Sequence, residues 1–168
     1  MKIIAYLLVM LSALLVGVEI NKLQKERLVL ISDLVKMLDY MHTELSARPC
    51  RMDQLCRKTA KMFDWKIKDF SNAVSVEMDM LGEKSFQEIW NGCCRDKFKL
   101  LDGDSLSIIS GLGESLGNFE LSSQLTAIGN CGDGLRKKMQ EQKEIYSNNS
   151  KINIAVPCSV ACMILMVV

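Results

Sequence analysis

Proline is nearly absent. Two prolines in 168 residues leave little to interrupt a helix, because proline removes a ladder hydrogen bond and clashes with the preceding turn. Long continuous helices are therefore expected. Histidine occurs once, which excludes a His-rich metal site and weakens any catalytic triad. Charge of one sign is not in excess. A net charge of +1 gives no global drive toward nucleic acid, and no nucleic-acid partner is expected. No window alternates with period two long enough to suggest a strand. Cysteine is present but in an incomplete pattern: Cys50, Cys56, Cys93, Cys94, Cys131, Cys158 and Cys162. An odd count closes no disulfide framework, and none has the paired spacing of a zinc site. The thiols read as small apolar residues of a reduced, cytosol-facing protein.

Charge is missing from both ends. All 20 acidic residues and 20 of the 21 basic ones lie between Glu19 and Lys151, and only Lys2 is charged outside that stretch. The apolar runs are Ile3 to Val18 and Ile152 to Val168. Each is roughly 25 Å long as a helix, at 1.5 Å per residue, the short end of what spans a bilayer. The first run is read as an uncleaved anchor rather than a signal peptide, since no A-x-A-like site follows it. The second is read as a span rather than a core helix, with Pro157 tolerated in the membrane. The expected organisation is a transmembrane helix over 1–18, a cytoplasmic helical bundle over 19–151 and a transmembrane helix over 152–168. Lys22, Lys25 and Arg27 follow the first run; Arg136, Lys137, Lys138, Lys143 and Lys151 precede the second. Cations stay on the cytoplasmic side, so the middle of the chain should face the cytoplasm.

The middle reads as helices. Leu23, Leu30, Leu34, Leu38, Met41 and Leu45 mark one face of a long first helix, ending near Arg48-Pro49 because the residue before proline disfavours helical geometry. A second helix is expected from about Cys50 to Phe63, and a third from about Ile67 to Leu81, stopped by Gly82. Ser85-Phe86-Gln87-Glu88 is a capping box that opens the fourth. Asp102 or Asp104 caps the fifth. The sixth runs from about Glu120 to Tyr146 and carries Gly129, Gly132 and Gly134, which either permit close helix contact or mark a break. The fold class is thus all-α, a compact bundle of about six helices flanked by N- and C-terminal transmembrane helices.

No constellation here makes an active site. Gly111-Leu112-Gly113-Glu114-Ser115-Leu116-Gly117 lacks the preceding strand and the spacing of a dinucleotide fingerprint; helix capping and close packing explain it better. Cys93-Cys94 is read as core rather than redox-active, His42 as structural, and the carboxylates of Asp102 and Asp104 as caps rather than an acid/base pair. No enzyme activity, cofactor, metal or small-molecule substrate is expected. Charge is unevenly placed, however. Between Arg48 and Lys68 seven basic residues face two acids, Asp53 and Asp64. From Leu100 to Leu135 there are five acids and no Lys or Arg. Arg51, Arg57, Lys58 and Lys61 are the candidate partner-binding residues, docking a cytoplasmic protein by charge complementarity.

Several segments match in order and spacing. Arg27-Leu28 follows the anchor, then Glu44-Leu45 and the turn at Arg48-Pro49. Ser85-Phe86-Gln87-Glu88-Ile89-Trp90 and Leu106 through Gly113-Glu114-Ser115-Leu116-Gly117 follow, with Gln124 beyond and Leu135, Tyr146 and Lys151 leading into the last run. In this the chain resembles the stage III sporulation protein AB family of endospore-forming bacteria over almost its whole length. It departs at Asn118, at Pro157 and in its cysteine load. That family is similar to the inner-membrane platform proteins of type II secretion and type IV pilus systems, whose cytoplasmic domains are six-helix bundles. The resemblance implies a place in the mother-cell membrane around the forespore. There it would be a platform or adaptor in a secretion-like channel complex. The implied partners are a cytoplasmic secretion-type ATPase of the stage III sporulation operon (stage III sporulation protein AA-like), other membrane proteins of the same complex, and the membrane itself. The alternatives are a membrane-tethered thiol-redox or signalling protein, and a general membrane scaffold unrelated to sporulation.

Overall fold

The computed structural model describes the backbone over residues 2–80, 82–117 and 120–167, and side chains over 18–79, 82–117 and 120–147. It is all-α, with no strand among the described residues. Six α-helices follow one another: α1 Lys2–Ala47, α2 Met52–Met62, α3 Trp65–Glu77, α4 Phe86–Lys97, α5 Gly103–Leu116 and α6 Leu121–Val167. A 3-10 turn, Met78–Met80, extends α3. Residues 29–139 form one compact unit; residues 1–28 and 140–168 form another. Among the described residues no helix is long and apolar enough to cross a membrane. The runs 1–18 and 152–168, read as membrane spans, lie outside the described side chains except for Val18, so the flanking transmembrane helices find no support there.

The core of the 29–139 unit follows the helical stripes. On α1 it takes Leu30, Ile31, Leu34, Met37, Leu38, Met41 and Leu45, all fully buried. The stripe ends at Pro49, as the geometry before proline requires. On α2 the buried residues are Leu55, Cys56, Thr59 and Ala60, with the Thr59 hydroxyl donating to the Leu55 carbonyl at 2.9 Å. That bond satisfies a hydroxyl which burial would otherwise leave stranded.

Helix α3 starts earlier than the apolar spacing suggests and gives out before Leu81. Ser75 donates its hydroxyl to the Asn72 carbonyl at 2.9 Å, and the Met78 amide reaches the carbonyls of Val74 and Val76. The chain then continues as the 3-10 turn Met78–Met80. Gly82 then takes φ +116°, a backbone that L side chains rarely adopt.

Helix α4 opens on the expected capping box. The Ser85 hydroxyl accepts from the Glu88 amide at 3.3 Å, and the Glu88 carboxylate accepts from the Ser85 amide at 2.8 Å. Of the two candidate aspartates it is Asp102 that caps α5, accepting from the Ser105 amide at 3.3 Å, while Asp104 lies in the first turn. Trp90 of α4 is fully buried and donates its indole N–H to the Ile109 carbonyl of α5 at 2.8 Å. Its ring meets Phe70 of α3 edge-on, with centroids 4.9 Å apart, and Phe70 in turn lies 4.7 Å from Phe98. These aromatics bury large apolar area at favoured ring geometries.

Gly111 and Gly113 lie inside α5 rather than at its end, and only Gly117 is the C-cap, in right-handed geometry. The glycines of α6 do not break it, since the helix is continuous from Leu121. Of these, Gly134 marks a close approach: a Cβ there would stand 3.4 Å from Ile108 of α5. Gln124 of α6 donates to the Leu116 carbonyl at 3.1 Å, answering one of the acceptors left open at the end of α5.

Candidate partner-binding surface

The sequence places four cations on or beside α2, and the structure separates them. Arg51 is the N-cap of α2 and pairs with Asp53 at 3.2 Å. Lys58 reaches across to α1 and pairs with Glu44 at 2.6 Å. The hydrogen bond to Glu44 holds the Lys58 ammonium above its ordinary pKa. Two of the four candidates are therefore already engaged in ion pairs within the bundle. Arg57 and Lys61 stand one turn apart on the exposed side of α2, and neither pairs with a carboxylate among the described residues.

Sequence reasoning missed what lies beside them. Met62 ends α2 and is 67% exposed; Trp65 opens α3 and is 46% exposed. Trp65 also takes φ +55°, the only left-handed non-glycine among the described residues. An L residue there costs roughly 1–2 kcal/mol. Lys66 holds its ammonium 5.0 Å from the Trp65 ring centroid, within cation–π range. The basic side of α2 therefore ends in an aromatic corner. An indole following a helix end with no glycine, Phe63-Asp64-Trp65, was the one available signal, and propensity does not read it.

The acidic stretch from 100 to 135 has a structural explanation. Asp102 caps α5. Asp104 pairs with Lys138 of α6 at 2.9 Å. Asp133 pairs with Arg136 at 2.8 Å, and Arg136 also bonds Asp39 of α1. Asp104 thus ties α6 to α5, and Arg136 ties α6 to Asp39 of α1.

The buried thiols are not acidified. Cys56, Cys93, Cys94 and Cys131 are buried. Burial pushes Cys56 and Cys131 up to about 12 and Cys93 up to about 11, and it raises Cys94 as well. A redox-active thiol is acidified instead. Cys50 is half-buried and lines a cavity of about 540 Å³ with Pro49, Arg51, Met78, Phe86 and Leu116. Cys158 and Cys162 lie outside the described residues. His42 is exposed on α1. Among the described residues no three His, Cys, Asp or Glu side chains are grouped to hold a metal.

The described residues thus make an all-α bundle with four buried thiols and an exposed basic corner. The chain belongs to the stage III sporulation protein AB family, whose model matches residues 2–167. The solved structure of a stage III sporulation protein AB (SpoIIIAB) shares the fold, with a TM-score of 0.64 at 18% identity, over 73% of this chain and 97% of that one. No curated protein gives a significant match.

Proposed function

We propose that this sporulation protein is a membrane-anchored platform or adaptor rather than an enzyme. Residues 1–18 and 152–168 anchor it in the mother-cell membrane around the forespore. Residues 19–151 face the cytoplasm and dock a secretion-type ATPase of the same operon to a channel complex. The docking acts mechanically: the bundle holds or transmits force from the partner's nucleotide cycle. The observation that carries this reading is the state of the basic residues on α2. Arg57 and Lys61 remain exposed with no carboxylate partner among the described residues, while Lys58 and Arg136 are held in ion pairs. Exposed charge at a rim steers encounter and sets partner choice.

Reversing both charges, Arg57→Glu with Lys61→Glu, tests it. Neither side chain supports the bundle, so helicity and the unfolding midpoint should be kept. Capture of the purified ATPase should fall severalfold, and what remains should depend less on salt than wild-type capture does. Capture equal to wild type would count against the docking role.

A further inference from the structure

We propose that the α2–α3 corner is a docking hot spot, with Trp65 and Met62 as its apolar anchor, and that its occupant is an acidic protein segment carrying an apolar side chain. The inference rests on the reading that this face binds the ATPase, and it names the chemistry of that contact. Met62 and Trp65 are large apolar side chains three residues apart, 67% and 46% exposed. The other tryptophan, Trp90, is fully buried, so exposure is a property of this site and not of the residue. At φ +55° glycine or asparagine would satisfy the backbone more easily. The chain keeps its largest side chain there, and strain of this kind concentrates where a group is held ready for a ligand. The indole is braced by Lys66 at 5.0 Å. Tryptophan is among the residues that dominate binding energy at protein interfaces.

Charge selects the occupant. Along the chain about the anchor stand Arg57, Lys61, Lys66 and Lys68 against Asp64 and Asp69, with Lys58 already paired to Glu44. The excess is positive, so the complementary segment is acidic. A lipid surface fits less well. A helix that lies on a membrane presents a whole apolar face, whereas the apolar stripe of α2, Leu55, Cys56, Thr59 and Ala60, is turned inward and buried. Exposed Asp64 and Asp69 beside the indole would also be pressed against anionic headgroups.

The test uses the full chain in phosphatidylcholine nanodiscs, titrated with the purified ATPase. Trp65→Asn and Trp65→Gly remove the anchor while suiting the left-handed backbone, so the unfolding midpoint should not fall. ATPase affinity should drop about tenfold or more, chiefly through faster dissociation. Lys61→Glu should instead slow association and flatten the salt dependence. If the wild type binds and both Trp65 variants bind within twofold of it, the anchor is refuted while the docking role stands. If the wild type does not bind at all, the docking role fails and takes the anchor with it. Acrylamide quenching gives a further arm, because only Trp65 is open to the quencher. Shielding of Trp65 in phosphatidylglycerol nanodiscs without the ATPase would overturn the proposal in favour of lipid.

Discussion

Gly113 and Trp90 touch so closely that a Cβ on the glycine would stand 2.8 Å from the indole Cδ1 and 2.9 Å from the Trp90 Cβ. The absent side chain is what lets α5 lie against α4, and the contact brings the indole N–H to the Ile109 carbonyl. Two glycines of one helix thus give opposite outcomes for the same substitution. Gly113→Ala should destabilise by about 1–3 kcal/mol, because overpacking here meets a ring that is fully enclosed. Gly111→Ala meets open space and should stabilise by about 0.5–1 kcal/mol through a less costly helix backbone. Denaturant melts of the two variants check both signs.

The capping box gives a pH prediction. Hydrogen bonds from the Ser85 amide, then the Ser85 hydroxyl, hold the Glu88 carboxyl below its ordinary pKa of 4.5. The folded state thus favours the ionised form more than the unfolded chain does. The stability this adds is complete above about pH 4.5 and is lost as the pH falls through the lower folded value. Wild type should therefore lose more of its unfolding midpoint than Glu88→Gln on acidification from pH 6 to pH 3. Ser85→Ala should cost about 1 kcal/mol near neutral pH. An acid melting curve parallel to that of Glu88→Gln would refute the linkage.

Local chemistry was legible in the sequence, and contacts between distant segments were not. Ser85 and Glu88 three apart, Asp102 before an apolar run, and the stop at Pro49 each act within one turn, so their residues alone specify them. The α1 stripe from Leu30 to Leu45 was legible because it repeats. The partner of Lys58 was not: Glu44 is fourteen residues away on another helix. For the same reason the spacing that groups Arg51 with Lys61 did not show that Arg51 sits at the cap, paired with Asp53. The glycines of α6 were ambiguous because a break and a close approach use the same residue, and only Ile108 packed at Gly134 distinguishes them. The left-handed Trp65 runs against its own propensity, which is why pattern reasoning passed over this corner.

Thiol reactivity follows from burial. Cys56, Cys93, Cys94 and Cys131 should resist a water-soluble disulfide reagent in the native bundle at pH 7.5 and react only on unfolding. Cys50, half-buried beside a cavity, should react first. The folded pKa values of the four buried thiols lie above the ordinary 9.0, so the neutral form is favoured in the folded state. Stability should accordingly fall as the pH rises above about 9, where unfolded thiols ionise and buried ones do not. Rapid native labelling of Cys93 at pH 6 would contradict this and would revive a thiol-redox reading.

The proposed anchoring makes the strongest demand on the chain, because it assigns a place to the residues with least charge. Between Ile3 and Val18, and again between Ile152 and Val168, there is no ionisable Asp, Glu, Lys or Arg, and a charge at the centre of a span costs about 2.5–3.5 kcal/mol on insertion scales. The full chain should therefore pellet with phosphatidylcholine vesicles and stay with them in 1 M salt, which screens surface charge to a few ångströms. Leu8→Arg together with Ala161→Arg should release it to the supernatant with the 29–139 bundle still folded, read by its helical circular dichroism. Lys22, Lys25 and Arg27 on one side and Arg136, Lys137 and Lys138 on the other should keep the bundle cytoplasmic. With the chain expressed in the plasma membrane of non-sporulating cells, protease added outside intact cells should then leave it uncut, while protease added to inverted vesicles should cut it. Cleavage from outside intact cells would refute the orientation, and recovery of the wild-type chain in the supernatant would refute the anchoring itself.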